Sequence, residues 1–394
     1  MDYKNNLRAA LAAMNEKSSF AMAKKARALE AEGKKVVHFE IGQPDFETPA
    51  HIKEAAVRAL SDGKTKYVAS LGITELREAI AANITKTRGV ETSPDEVVVT
   101  PSGKTAMLMA MALLITPGDE VIYPDPGFPS YRNIIVLFGG VPKALPLLEK
   151  NNFRPDPQDL EKLVSPKTKL IILNSPGNPN GTMLSRGDLE EIAKIIAPTN
   201  AYILSDEIYS AITYDAPHES ILSIPGMKER TLLLDGFSKA YAMTGWRLGY
   251  LIAPREFMPA MDLLAVNMFG STAAFTQYAG VAALTGPQNE VQAMVKEFKA
   301  RRDLVVQGLA AIPNITCATP QGAFYAFPNI SAFGLSSDEF ATRLLAEAGV
   351  SLLSGDTYGE YGEGFIRISY ATSRAELELG LLRLAEFTAK LNGH

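Results

Sequence analysis

The stretch that decides the fold is residues 231–250, which read TLLLDGFSKAYAMTGWRLGY. Thr231 to Leu234 is a short apolar run bounded by polar residues and glycine, which is typical of a buried strand. Lys239 follows at the carboxyl end of that predicted strand, and Arg247 comes eight residues later. A lysine side chain that is shielded from water has a lowered pKa and can attack an aldehyde as a neutral amine. The ordinary alternative for Lys239 is a loop lysine in a salt bridge.

Apolar runs alternate with segments of helical period on both sides of this stretch. The residues from Trp246 to Ala253 follow by a short connection, which predicts an antiparallel strand in the same sheet. The sequence therefore predicts an α/β fold with a mostly parallel sheet. The other apolar runs are Glu96–Thr100, Glu120–Tyr123, Lys169–Leu173 and Ala201–Leu204.

Polar side chains follow these predicted strands at their carboxyl ends, where open α/β sheets bind ligands. Residues 101–105 (PSGKT) begin a predicted helix, whose first backbone N–H groups are suited to a phosphate. A nucleotide P-loop is excluded because its first glycine would fall at Val98, inside the strand, and the dinucleotide-binding glycine pattern is also absent. The strand-end groups are Ser102–Lys104, Asp125–Phe128, Asn174–Gly181, Asp206–Tyr209 and Ser238–Lys239.

These residue types fit the chemical needs of pyridoxal phosphate (PLP). Asp206 is suited to keep the pyridine nitrogen protonated, although an isolated Asp there also reads as a helix N-cap. Tyr209 shares its face if the segment is helical, with packing as the alternative, and Asn178 offers an amide to the phenolic oxygen of the ring. Arg247 can make a forked contact with the phosphate.

Composition narrows the class of protein. The chain has 394 residues, a formal net charge of -5 and a pI near 5.6, so it lacks a basic field that would attract nucleic acid or an anionic membrane. Its single cysteine, Cys317, and four scattered histidines predict neither disulfides nor a metal site. The first residues lack a signal-peptide pattern, so we expect a cytoplasmic protein with no nucleic-acid or membrane partner.

A change of pattern after Gly286 predicts two domains. A long charged amphipathic helix follows, and shorter mixed elements come after it. The N-terminal segment is helical up to Gly33 and is expected to join the C-terminal part. We therefore predict a large PLP-binding domain at 41–285 and a small α+β domain made of 1–40 and 286–394.

Taken together, the motifs resemble the class I/II aminotransferases of PLP fold type I, and in particular the bacterial aspartate and aromatic aminotransferase branch. The resemblance implies a mostly parallel seven-stranded sheet in the large domain, a smaller α+β domain, and a homodimer. The motifs that carry it are Ile41–Phe46, Lys66–Tyr67, Ser102–Lys104, Asn174–Gly181, Ser205–Tyr209, the block around Lys239, and Arg367–Thr372.

The resemblance also implies a role for each matched residue. The catalytic set is Lys239 as Schiff-base lysine and proton shuttle, Asp206 at the ring nitrogen, and Tyr209, which bonds the phenolic oxygen together with Asn178. The other cofactor-binding residues are Phe128 stacked on the ring, and Ser102, Gly103, Lys104, Ser238, Arg247 and the second subunit's Tyr67 at the phosphate. The substrate-binding residues are Arg367 at the α-carboxylate, Gly42 in the segment that closes over it, Asn178 and Lys104.

Two departures from the family pattern and the residues near the substrate bear on cofactor affinity and specificity. Gly236 stands where many relatives have a phosphate-binding hydroxyl, and residues 177–181 read GNPNG where the branch usually has NNPTG. A lysine at position 104 favours a substrate with a second carboxylate. Ser19 matches a small hydroxyl residue of aspartate-using members, whereas Lys17 either adds a cation for the substrate or points to solvent.

The predicted function is transfer of an amino group from an L-amino acid, aspartate first, to a 2-oxo acid, 2-oxoglutarate first, by a ping-pong mechanism. Aromatic amino acids, alanine or prephenate as substrates are the alternatives. A PLP-dependent carbon-sulfur β-lyase would share Lys239, Asp206 and Arg247 and would release pyruvate and ammonia without an acceptor. A PLP-sensing regulator would need a DNA-binding module, for which we find no room in the sequence.

Overall fold

The computed structural model describes residues 19–392 and, before them, residues 11 and 14. Lys17 lies outside the described residues. The helices are α1 (Ser19–Ala31), α2 (Ala50–Ser61), α3 (Thr74–Arg88), α4 (Gly103–Leu114), α5 (Ser130–Leu137), α6 (Pro157–Leu163), α7 (Arg186–Ile196), α8 (Met258–Met268), α9 (Ala274–Thr285), α10 (Asn289–Ala310), α11 (Ser337–Arg343) and α12 (Arg374–Asn392).

Seven strands form the main sheet, in the order β2-β8-β7-β6-β5-β3-β4. They are β2 (Val97–Thr100), β3 (Glu120–Asp125), β4 (Val141–Pro146), β5 (Thr168–Asn174), β6 (Tyr202–Asp206), β7 (Thr231–Gly236) and β8 (Gly249–Ile252). All pairings are parallel except those of β8, which runs antiparallel to both β2 and β7. The predictions of a mostly parallel seven-stranded sheet and of one antiparallel strand are confirmed.

The edge strand β4 carries the weakest strand signal of the seven in the sequence. Only Leu145 of its six residues is buried, and prolines stand at positions 142 and 146. Proline cannot donate a ladder hydrogen bond and is tolerated at the edge of a sheet. Sequence reasoning therefore found no separate apolar run for this strand.

Helices cover both faces of the main sheet, so successive side chains of a strand pack into apolar clusters on opposite faces of the sheet. On β7, Leu232 and Leu234 pack with α4 and α8 on one face, while Leu233 packs with α3 and α9 on the other. Burial on both faces explains why the strands read as continuous apolar runs rather than as alternating ones. The same arrangement brings the polar carboxyl ends of the strands to one edge.

The C-terminal part builds a separate small sheet and shares its core with the N-terminal segment. The three strands of this sheet are β9 (Tyr325–Ala326), β11 (Leu353–Ser354) and β12 (Ile366–Ser369), in the order β11-β12-β9. A separate pair is formed by β1 (Val37–His38) and β10 (Val350–Ser351), which run parallel. Met22 of α1 and Phe39 pack in one apolar cluster with Phe298 of α10 and Leu377 of α12. The domain division at 41–285 stays a prediction.

Candidate active site

Lys239 lies in the turn after β7, as the sequence predicts for a strand-end residue. Its Nζ donates a 2.5 Å hydrogen bond to the carbonyl oxygen of Gly42 and lies 5.9 Å from the ring centre of Tyr209 and 5.7 Å from that of Phe324. Burial first, and then the positive charges of Arg367 and Arg247, lower the pKa of Lys239 to about 8. The amine is therefore far easier to deprotonate than a surface lysine.

Asp206 ends the neighbouring strand β6 and is buried. Its Oδ2 accepts a 2.7 Å hydrogen bond from the hydroxyl of Tyr131, and its Oδ1 accepts a 3.2 Å bond from the N–H of Ile208. Burial raises the pKa of Asp206 to about 6, although both of those hydrogen bonds oppose the rise. A turn rather than a helix follows the strand, so the helix N-cap alternative is wrong.

Tyr209 is placed by that turn and not by a helix face, which corrects the helical reading of residues 206–209. Its hydroxyl lies 2.8 Å from the hydroxyl of Tyr325, and the two rings meet edge to face. Burial raises the pKa of Tyr209 well above its ordinary value, so the phenol keeps its proton. A protonated hydroxyl at this place can donate a hydrogen bond to a ligand oxygen.

A helix N-terminus forms the part of the site suited to an anion. Ser102 caps α4 by accepting a 3.1 Å hydrogen bond from the N–H of Thr105, so the N–H groups before Thr105 keep no helical partner. Gly249 on β8 permits this close packing, because a Cβ there would lie 2.4 Å from the nitrogen of Gly103. Burial and then the charge of Arg247 lower the pKa of Lys104, which places the two cations near one another.

Arg247 is exposed and has a left-handed backbone, with φ of 56°. Its Nη1 donates to the carbonyl oxygen of Thr244 at 2.8 Å. Ser238 precedes the lysine and is half-buried. Phe128 lies above this region: its ring centre is 5.4 Å from Nζ of Lys104 and 5.8 Å from the ring of Tyr131.

Arg367 on β12 forms the opposite end of the site and is buried. Its Nη1 donates to Oδ1 of Asn178 at 3.2 Å and its Nη2 donates to the carbonyl oxygen of Glu40 at 2.6 Å. The guanidinium carbon lies 4.4 Å from the ring centre of Tyr325 and 5.3 Å from that of Tyr358. Among the hydrogen bonds of the described residues, Nε of Arg367 has no partner although it is buried. Such a fork is suited to a carboxylate.

Gly42 separates this arginine end from the lysine. A Cβ at Gly42 would lie 2.1 Å from the hydroxyl of Tyr325, so the backbone can approach only because the residue is glycine. Tyr67 is apart from the other predicted residues: its side chain is 93% exposed, and no hydrogen bond of the described residues joins it to them. The chain thus brings together every predicted site residue except Tyr67.

Sequence reasoning missed Tyr131, Tyr325 and Tyr358. Tyr131 lies 75 positions from its partner Asp206, and Tyr325 lies 116 positions from Tyr209. Their local sequences carry no motif, since Tyr325 sits in an apolar run that predicts only a strand. Within the described residues there is no group of three or more His, Cys, Asp or Glu side chains placed to hold a metal ion, nor a helix long and apolar enough to cross a bilayer.

The comparison with known families shows the family to which this fold belongs. Residues 34–384 match the family model described as aminotransferase class I and II. The chain belongs to this family. This aminotransferase chain is 42% identical to the aspartate aminotransferase of Pyrococcus horikoshii over 345 residues. The aligned residues cover 87% of this chain and 88% of that one.

Two further aminotransferases show the range of similar proteins. The chain is 41% identical to aromatic-amino-acid aminotransferase 2 of Thermococcus litoralis over 355 residues, covering 89% of this chain and 90% of that one. The structure of the Thermus thermophilus aspartate aminotransferase with maleate superposes with a TM-score of 0.91 at 37% identity, covering 96% of this chain and 99% of that one. The predicted family, fold and enzyme class are confirmed.

Proposed function

We propose that this aminotransferase works with PLP bound covalently at Lys239 and that aspartate and 2-oxoglutarate are its preferred substrates. The observation that carries the proposal is the environment of Lys239. Burial, together with the charges of Arg367 and Arg247, lowers the pKa of Lys239 to about 8, and the charge of Asp206 also acts on this lysine. A neutral amine in such a place is the group that bonds an aldehyde.

The donors and acceptors of the site fit PLP from end to end. Asp206 would hold the ring nitrogen, Phe128 would cover the ring face, and Asn178 and Tyr209 would bond the phenolic oxygen. The open N–H groups at the start of α4 and the exposed Arg247 supply the two kinds of donor that a phosphate dianion needs. The remaining phosphate ligands are Ser102, Gly103, Lys104 and Ser238, with Tyr67 contributed by a second subunit.

When bound, PLP withdraws electrons from the substrate α-carbon, and the carboxylate of Asp206 keeps this withdrawal strong by holding the ring nitrogen protonated. Once the amine of the incoming substrate has replaced Lys239 on the cofactor, the freed Nζ of Lys239 would take the proton from the substrate α-carbon and would deliver it to the cofactor carbon that carried the aldehyde. Its low pKa lets it act as a base near neutral pH. The missing Cβ of Gly42 leaves room for the hydroxyl of Tyr325, whose ring packs on Arg367, the residue that would bind the substrate α-carboxylate.

Arg367 and Lys104 select the substrate. Arg367 binds the α-carboxylate with two parallel hydrogen bonds, assisted by Asn178. Lys104 lies in the same site and offers a cation to a second carboxylate. The maleate in the similar Thermus thermophilus structure is a dicarboxylate, which supports an acidic substrate. We further propose a homodimer in the cytoplasm, with the large domain at 41–285.

The test of the proposal is a chemical map of the lysine. Loading the protein with PLP, reducing it with borohydride and digesting it should give one peptide that carries the cofactor at Lys239. The Lys239→Ala variant is the control and should carry none. Label on another lysine, or label that persists in the variant, would overturn the assignment.

Substrate choice is tested with Lys104→Leu. We expect kcat/KM for aspartate to fall by about 100-fold, the loss of one charged hydrogen bond, while kcat/KM for alanine falls much less. Equal losses for both amino acids would show that Lys104 serves only the cofactor and would leave the preference for aspartate without support.

A further inference from the structure

A buried charge network lies behind the proposed cofactor site. Arg88, the last residue of α3, has a side chain that is 6% exposed. Its Nε donates to Oε2 of Glu207 at 2.9 Å and its Nη2 donates to Oδ2 of Asp235 at 2.8 Å. One guanidinium thus joins two carboxylates that come from different strands.

The two carboxylates belong to the strand ends that carry the proposed catalytic residues. Glu207 directly follows Asp206, and Asp235 lies four residues before Lys239. In the sheet, β6 and β7 are parallel neighbours, with Asp206 opposite Leu234. The fork of Arg88 therefore fixes the spacing of the strand that presents Asp206 and the strand that presents Lys239.

Glu207 and Asp235 both accept further hydrogen bonds. Glu207 accepts from Ser205 at 2.9 Å and from Ser220 at 2.5 Å, and it lies 2.9 Å from Nε2 of His218. The N–H of Gly236 donates to Asp235 at 2.7 Å and Ser210 donates at 3.0 Å. Burial opposes ionisation, but His218 and Arg88 outweigh it and lower the pKa of Glu207 to about 2.

A purely structural role is a weak explanation for this network, because buried ion pairs are often no more stable than apolar side chains of equal volume. Its position suggests an electrostatic one. Both carboxylates repel negative charge on Asp206, and Arg88 is the cation that lies between them. Arg88 is the positive charge bonded to both Glu207 and Asp235, so its removal makes the formal charge of this network more negative by one unit.

We propose that Arg88 is a positioning residue for the cofactor ring: it fixes the ends of β6 and β7 and offsets the charge of Glu207 and Asp235, so that Asp206 stays ionised opposite the ring nitrogen. The inference rests on the proposed use of PLP. Without Arg88 the potential at Asp206 would become more negative, so the carboxylate would bind a proton more readily and would be ionised opposite the ring nitrogen less often. The ion pair is then replaced by a weaker hydrogen bond between neutral groups.

The test compares the binding of PLP to the apoenzyme with the binding of its carbocyclic analogue, in which C–H replaces the ring nitrogen. Both ligands carry the same aldehyde and phosphate. The dissociation constant of PLP divided by that of the analogue therefore reports only the pairing of the ring nitrogen with Asp206. This ratio is measured from pH 5 to pH 8. The titratable and charged groups around Asp206 are Tyr131 of α5, Tyr209, Glu207, Asp235 and Lys239, and Glu207 and Asp235 in turn contact His218 and Arg88.

Two single variants change the charge of the network in opposite directions, and a double variant leaves it unchanged. Arg88→Gln keeps amide donors but removes the cation, and the pH at which the ratio falls should rise by about one unit. Asp235→Asn removes one anion and should lower this pH. The double variant restores the formal charge of the wild-type network and should lie close to the wild type. Thermal unfolding of each apoenzyme reports the structural effect separately.

Equal loss of affinity for both ligands, with an unchanged ratio at every pH, would show that Arg88 only supports the fold and would overturn the inference. Shifts of the same sign in Arg88→Gln and Asp235→Asn would also overturn it. If Arg88→Gln does not fold, Asp235→Asn and the double variant decide by the same criterion. Failure of the wild-type apoenzyme to bind PLP would instead overturn the proposed function.

Discussion

Burial disfavours the negative charge of Asp206, so the hydrogen bond from the Tyr131 hydroxyl is important for the stability of the carboxylate. Burial raises the pKa of folded Asp206 to about 6 from an ordinary value of 3.8. The ionised carboxylate therefore costs stability in full above pH 6, and this cost decreases as the pH falls from about 6 to about 4, below which it is absent. Tyr131 reduces the cost by donating a hydrogen bond to the ionised form.

We expect Tyr131→Phe to destabilise the apoenzyme by about 2 kcal/mol at pH 8, where Asp206 is ionised, and by about 1 kcal/mol at pH 4.5, where it is protonated. Urea unfolding at the two pH values measures the difference. Tyr202→Phe is the matched control: its hydroxyl makes no hydrogen bond among the described residues, so its effect should be small and independent of pH. An equal loss at both pH values for Tyr131→Phe would contradict the assignment.

At Gly42, the addition of a single methyl group should be enough to change substrate binding. Its missing Cβ would lie 2.1 Å from the Tyr325 hydroxyl, and Tyr325 packs on Arg367. We expect Gly42→Ala to raise KM for the amino acid about tenfold through displacement of Tyr325. Gly187→Ala on α7 is the control, because nothing crowds its Cβ and helix propensity should make it neutral or slightly stabilising. An unchanged KM for Gly42→Ala would show that the contact relaxes without moving Arg367.

At the scale of elements, helix α10 holds the segment 41–46 against the site. Arg301 of α10 donates to Oδ1 of Asp45 at 2.7 Å and lies 5.0 Å from the ring centre of Phe46. The same segment supplies the Gly42 carbonyl that accepts from Lys239. The position of this segment therefore depends on a buried arginine far from the lysine in sequence.

We expect Arg301→Met to lower kcat/KM about tenfold, mainly through KM, because segment 41–46 loses its anchor while the cofactor contacts remain. The control is Arg374→Gln, which removes an exposed partner of Glu297 in the same charge network and should change little. Steady-state kinetics of both variants test this. A fall in kcat with KM unchanged would indicate that Arg301 acts on the chemistry and not on the segment.

The elements of the sheet could be predicted where a local pattern determines them. Buried strands such as β7 are continuous apolar runs, and the strand-end rule then places Lys239 and Asp206 at one edge. The edge strand β4 was not predicted because its prolines weaken the strand pattern. The turn at Tyr209 was not predicted because the contact of Tyr209 with Tyr325 is tertiary and leaves no local pattern. Arg88 could not be found because its two acceptors lie 119 and 147 positions away.

At the scale of the whole molecule, the exposed side chain of Tyr67 predicts that each active site needs two chains. If Tyr67 reaches the partner's phosphate site, a mixed dimer of Tyr67→Ala and Lys239→Ala chains contains one site with both residues intact. Random mixing should therefore restore about one quarter of the wild-type sites. Titration of active sites after co-refolding the two variants measures this fraction. No recovery above either variant alone would place Tyr67 outside the partner's site.

The measurement that tests the central claim most directly is a half-reaction of the PLP-loaded protein with single amino acids and no acceptor. We predict one equivalent of oxo acid per site, conversion of the cofactor to its amine form, and aspartate as the fastest donor. Continued release of ammonia and pyruvate would identify a β-lyase, and no conversion with any donor would contradict the proposed PLP-dependent transamination at Lys239.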